Sequence, residues 1–117
     1  MMIDRIRQEK PILIDFYTST CSICSVLDIS LEEVKKGFGD QLDVVKINVD
    51  EDKINTIHFD ACYQIKGVPT LMLFQNNQLI WKYYGVLFPE DLKHKIKEYI
   101  NEWKLYYNHG HGILVDH

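Results

Sequence analysis

Apolar residues fall along this chain in blocks, and the spacing within each block predicts an element. Residues 2–9 open with a short helical pattern, Ile3 and Ile6 on one face, which Pro11 stops. Residues 12–17 (ILIDFY) are an apolar run of strand length, interrupted only by Asp15. From Ser22 to about Phe38, the positions Leu27, Leu31, Val34 and Phe38 recur at spacings of 4, 3 and 4. That is one face of an α-helix, with Gly37 and Gly39 as natural stops. Inside this stretch Ser30-Leu31-Glu32-Glu33 has the form of a capping box. A continuous helix with Ser30 on its surface is the preferred reading, and a bend near Asp28–Ser30 the alternative.

Residues 43–49 (DVVKINV) read as a second strand, and Ile54, Ile57 and Ala61 mark a short helix within 51–63. After the break Gly67-Val68-Pro69, residues 70–75 (TLMLFQ) read as a third strand. Asn76-Asn77 suits a hairpin turn because asparagine tolerates positive φ, and 78–84 (QLIWKYY) forms the returning strand. Pro89 starts a last helix with Leu92, Ile96, Ile100 and Trp103 on one stripe. After Tyr107 the tail NHGHGILVDH loses periodicity, so one domain over 1–107 and a tail over 108–117 are expected, without repeats. Helices separate the first strand from the second and the second from the third, which favours parallel crossovers before an antiparallel hairpin. The fold class is α/β, a small four-stranded mixed sheet with helices on both faces.

Composition narrows the function. At 117 residues and 46% hydrophobic, the chain builds one well-buried core. A net charge of −4, without a basic stripe, argues against nucleic acid and anionic membrane as partners. The polar opening MMIDRIRQEK predicts no ordinary signal peptide, and no apolar stretch approaches the ~20 residues of a membrane span. The expected location is cytoplasmic.

Three cysteines are too few and too odd in number for a secreted disulfide framework. Cys21 and Cys24 form a C-x-x-C at the start of the predicted helix, a spacing that suits redox or metal chemistry. Unpaired N–H groups at a helix start and the helix dipole favour a negative sulfur on Cys21, and a thiol attacks a disulfide as thiolate. One helical turn brings Cys24 within disulfide reach. Asp15 sits in an apolar strand, where burial raises a carboxyl's pKa towards neutrality and suits it to accept a proton. Cys62 stands four residues after His58, so a zinc set of Cys21, Cys24, His58 and Cys62 is a competing reading. The preferred one is a buried, inert Cys62 and no metal. His109 and His111 are read as part of a polar tail.

Together the segment Pro11-Ile-Leu-Ile-Asp-Phe-Tyr, the loop into C-x-x-C and the distant Val68-Pro69-Thr70 resemble the thioredoxin family, over roughly residues 3–104. The resemblance implies the minimal four-stranded form of that fold, since too few residues precede Pro11 for a further strand and a helix. It implies a thiol–disulfide oxidoreductase in which Cys21 attacks, Cys24 resolves, Asp15 takes the Cys24 proton and Lys46 is the charged companion of Asp15. It further implies a cis Pro69 opposite the cysteines, with Val68, Pro69 and Thr70 binding an extended substrate segment by strand addition and Gly85 beside the groove. Ser22 and Ile23 replace the family's usual Gly-Pro, and Thr20 its usual Trp; Ile29 stands where a mid-helix proline is common. These departures, with Tyr17, bear on redox potential and substrate choice and leave the chemistry class intact. No cofactor is implied.

The implied partners are disulfide-containing proteins and an upstream reductant such as a thioredoxin reductase. A redox-silent binding or assembly module on the same fold is the competing function. The chain is expected to be a monomer. Without a further strand, residues 43–49 become a sheet edge that Ile113-Leu114-Val115 could cover, in its own chain or in a strand-edge dimer.

Overall fold

A computed structural model describes residues 2–108. The sheet has four strands: β1 (Ile12–Tyr17), β2 (Asp43–Asn48), β3 (Thr70–Gln75) and β4 (Gln78–Tyr84), in the order β2-β1-β3-β4. The helices are α1 (Met2–Arg5), α2 (Ser22–Phe38), α3 (Lys53–Tyr63) and α4 (Pro89–Asn108), with a single 3-10 turn at Gly39–Gln41. The four-stranded mixed sheet expected from the sequence is therefore present, and β2 is an edge strand as expected.

Successive residues of β1 point to opposite faces, which divides the interior in two. Ile12, Ile14 and Phe16 pack with Ile6, Phe59, Met72 and Phe74 on the α3 side. Leu13 packs with Leu27, Leu31 and Val34 of α2, with Leu71, Leu73 and Trp81, and with Leu92, Ile96 and Ile100 of α4. The predicted apolar stripes of α2 and α4 thus face the sheet. Trp103, the tail histidines and Ile113-Leu114-Val115 lie outside the described side chains.

Several expectations need correction. β1 and β2 are parallel, but β3 runs antiparallel to β1, so the second crossover is not a parallel one. The register gives the reason: Tyr17 pairs with Asn48 and Phe16 with Thr70, so β3 begins at the end where β1 and β2 finish. α3 and the segment after it thus return the chain to the sheet end at which β2 finished. The helix α1 stops at Arg5 because the carbonyls of Ile6 and Gln8 accept bonds from the Asn77 and Asn76 N–H groups, at 2.6 and 3.0 Å. Ile54, Ile57 and Ala61 lie on the exposed side of α3, and Phe59 is the residue that α3 buries. The helix α2 is continuous, and Ser30 is buried in it rather than on its surface.

The ends of the elements carry their own chemistry. Gly39, at φ 54°, ends α2, and its N–H reaches the Lys35 carbonyl. Asn76 and Asn77 take positive φ in the hairpin turn, as predicted. Asp43 opens β2 and collects Gln8 at 2.9 Å, Lys10 at 2.9 Å and Arg5 at 3.5 Å, which fastens the N-terminal segment to the edge strand.

Candidate active site

The loop Thr18–Thr20 leaves β1 and delivers Cys21 to the N-cap position of α2 with extended backbone, φ −87° and ψ 108°. Cys24 follows in the first turn, and the two are joined as a disulfide with Cα atoms 5.4 Å apart. Cys21 is half-buried and Cys24 is buried, so Cys21 is the more accessible member of the pair. Next to them in α2, Ile23 is exposed, and the Ser25 hydroxyl donates to the Ser22 carbonyl at 2.7 Å. The loop is anchored from β2: the Asn48 amide donates to the Ser19 hydroxyl at 3.1 Å while its carbonyl oxygen accepts the Asp50 N–H at 2.9 Å. Reading the sequence missed Asn48; its signal was an Asn at a strand end, in Asn48-Val49-Asp50, where its side chain can accept the N–H two residues on as an Asx turn does.

Beyond the sheet end stands the second loop. The Val68–Pro69 peptide is cis, as the resemblance implied. Its place is held by the Gly85 N–H, which donates to the Pro69 carbonyl at 3.0 Å, and by the Thr70 hydroxyl, which donates to the Gly67 carbonyl. Gly85 takes φ 127°, a conformation that side chains rarely adopt. A Cβ on Gly67 would come within 2.9 Å of the exposed Tyr84 ring, which would have to swing aside to admit it. Pro69 and Thr70 are buried and Val68 is half-buried.

Beneath α2, Asp15 is fully buried, and neither of its carboxylate oxygens has a hydrogen-bond partner. Burial raises its pKa to about 7; Lys46 opposes that rise and Asp28 adds to it. Lys46 is the register neighbour of Asp15 on β2. Its ammonium pairs with Asp28 of α2 at 2.7 Å and lies 4.4 Å from the centre of the Tyr17 ring. Burial alone would lower the Lys46 pKa, but the bond to Asp28 and the nearby acidic groups hold it above the ordinary value. Asp28 was the second omission. A charged residue on the outer part of an amphipathic helix carries no sequence signal of its own.

Thr20 is exposed, with its hydroxyl 3.3 Å from that of Thr18, and Tyr17 is half-buried beneath Lys46. Ser30 donates to the Leu87 carbonyl at 2.6 Å, joining α2 to the loop before α4. Cys62 is exposed, against the expectation of a buried thiol: it flanks the narrow stripe of Phe59 and Tyr63 that α3 turns to the sheet. Its sulfur lies 3.9 Å from His58 Nε2. Among the described residues no three His, Cys, Asp or Glu side chains gather as a metal site, so Cys62 and His58 do not join the C-x-x-C.

This geometry can exchange one disulfide for another. An accessible sulfur at a helix start has its partner one turn behind it, and a buried carboxyl that titrates near neutrality lies on the α2 side of the sheet.

Comparison with known proteins agrees. The family model named Thioredoxin matches residues 3–98. A thioredoxin-like protein of Synechocystis is 34% identical over 91 residues, covering 78% of this chain and 80% of that protein. A thioredoxin of Buchnera aphidicola is 34% identical over 95 residues, covering 81% and 84%. Among solved structures, one titled "Structure of a malarial protein" superposes with a TM-score of 0.68 at 19% identity, over 78% of this chain and 98% of that one, a likeness of fold alone. Among the described residues no helix is long and apolar enough to cross a membrane.

Proposed function

The chain belongs to the thioredoxin family of thiol–disulfide oxidoreductases, and on that premise we propose how its own residues divide the work. The Cys21 thiolate attacks a substrate disulfide, forms a mixed disulfide and releases the first substrate thiolate, which takes up a proton. The Cys24 thiol then gives its proton to the Asp15 carboxylate, attacks the Cys21 sulfur and expels the second substrate thiolate. Two electrons have passed to the substrate, and Cys21–Cys24 is the disulfide that remains. An external dithiol reductant, of the thioredoxin reductase kind, returns the pair to thiols.

The observation that carries this reading is the contrast in exposure between the two cysteines, half-buried Cys21 and buried Cys24. The accessible one meets the substrate, and the buried one acts only from within. Asp15 suits the acceptor's role because its pKa of about 7 makes it a competent base at neutral pH. Val68, Pro69 and Thr70 offer the backbone edge for an extended substrate segment, with Gly85 leaving the groove open. Ser22, Ile23, Tyr17 and Thr20 surround the attacking sulfur and tune its potential and preference. Residues 1–107 form the working unit, monomeric and cytoplasmic, and the substrates are disulfide-containing proteins.

A trapping experiment tests the assignment. Cys24→Ser leaves the mixed disulfide unresolved, and peptide mapping by mass is expected to find the substrate on Cys21. Cys21→Ser is expected to reduce dithiol-driven disulfide turnover to background. A substrate trapped on the exposed Cys62 instead, or a Cys21→Ser protein that turns over normally, overturns it.

A further inference from the structure

Three charged side chains meet on the α2 side of the sheet, one cation between two carboxyls. Lys46 of β2 has a choice. It can turn inward to its register neighbour Asp15, or outward to Asp28 on α2. It is engaged outward, 2.7 Å from Asp28 Oδ1 and 4.4 Å from the centre of the Tyr17 ring, while both oxygens of Asp15 go without a hydrogen bond. We propose that Asp28 is a positioning residue of this site: its carboxylate keeps the Lys46 ammonium at the rim, over Tyr17, instead of beside the buried Asp15 carboxyl.

The physical reason is desolvation. Drawing an ammonium into an apolar layer costs several kcal/mol, which a contact at the half-exposed rim avoids. Lys46 and Asp28 are 36% and 44% exposed, so water reaches both side chains even though the paired Asp28 Oδ1 is itself covered. Lys46 also lines an open cleft of about 610 Å³ with Tyr17, Asn48 and Lys53, which gives its remaining N–H groups solvent.

Among the described residues, Lys46 and Asp28 are the charged groups whose fields reach Asp15. On β1, Tyr17 is two residues along; β3 contributes Leu71, and α4 contributes Leu92, Ile96 and Ile100. On α2, Asp28 is the charged group whose field reaches Asp15, and Glu32, Glu33, Lys35 and Lys36 lie further along the helix. The tether matters for catalysis on the reading that Asp15 accepts the Cys24 proton. An ammonium beside Asp15 would stabilise its ionised form and weaken it as a base. With Lys46 held away, Asp15 keeps a strong affinity for the proton it must receive.

The test is a carbon-13 NMR titration of the Asp15 carboxyl in the oxidised full-length protein, with single-turnover resolution of a mixed disulfide measured across the same pH range. Asp28→Asn is expected to lower the Asp15 midpoint by about one pH unit, the size of a single opposite charge brought near a carboxyl. Lys46→Met is expected to raise it. In the Lys46→Met background, Asp28→Asn is expected to shift it much less, and Asp28→Glu to restore the wild-type midpoint in an otherwise unchanged protein. An Asp15 midpoint unmoved by Asp28→Asn overturns the proposal. So does a shift of the same size with and without Lys46, which would reflect only the lost charge. If the midpoint moves as expected while the pH dependence of resolution stays put, the tether stands and Asp15 is not the acceptor.

Discussion

The two faces of one sheet differ in what they are built to do. On the α3 side, β1 contributes Ile12, Ile14 and Phe16 to an apolar cluster, and the buried polar Thr70 beside Phe16 has its hydroxyl bonded to the Gly67 carbonyl. Phe59 is its hub, with ring centres 5.6 Å from both Phe16 and Phe74 and 5.8 Å from Tyr63. On the α2 side, the alternate residues of the same strand are Leu13 and Asp15, and the buried Ser30 joins them across the layer. One face maximises burial of hydrocarbon. The other gives up stability to hold a carboxyl where it has no partner. The period of a β-strand lets neighbouring residues serve these opposed ends without compromise.

Removing the hub of the structural face is the largest expected effect. Phe59→Ala is expected to cost about 3–5 kcal/mol in denaturant unfolding. The midpoint potential of the Cys21–Cys24 couple should not move under native conditions. A shift in potential as well would mean that the two faces are not independent.

Asp15→Asn should do the reverse, stabilising the fold. Unfolded, Asp15 ionises near 3.8; folded, it does so near 7. Between those values the folded chain keeps a proton that the unfolded chain has lost, so stability falls as pH rises. Below about pH 4 both states are protonated and the penalty vanishes, and above 7 it is fully present and constant. Asp15→Asn is therefore expected to gain up to about 4 kcal/mol at pH 8, at about 1.4 kcal/mol per pH unit of displacement, and almost nothing near pH 4. Unfolding curves at the two pH values check this, and a gain that does not depend on pH contradicts it.

Ser30→Ala removes the bond to the half-buried Leu87 carbonyl and is expected to cost about 0.5–1.5 kcal/mol in the same assay. Smallest of all, Ile57→Lys on the solvent side of α3 should change stability by no more than about 0.5 kcal/mol. A larger loss would mean that this side of the helix is covered in solution.

How much of this was legible in the sequence follows from the range over which each signal acts. Local signals read well: the run around Asp15, the 4-3-4 spacing in α2, the Asn76-Asn77 turn and the C-x-x-C all state their roles within a few residues. Ser30 did not, because its acceptor lies 57 residues away and a serine before two glutamates reads as a helix start. The direction of β3 failed for a related reason, since it depends on which end of the sheet the chain enters and not on any pattern within the strand. In α3, Ile54-Ile57-Ala61 and Phe59-Tyr63 are both helical stripes. Spacing alone does not choose between them, and the aromatic pair won because it fills the space between Phe16 and Phe74.

The account turns on Asp15 as the proton acceptor for Cys24. The most direct test is the single-turnover rate at which Cys24 resolves a preformed mixed disulfide on Cys21, followed from pH 5 to 9 in the wild type and in Asp15→Asn. The wild-type rate is expected to climb through about pH 7 as Asp15 ionises, and the variant to be slower on the order of 10²-fold and to lack that step. Two superimposable profiles would contradict it, leaving Asp15 a buried charge without a part in the chemistry.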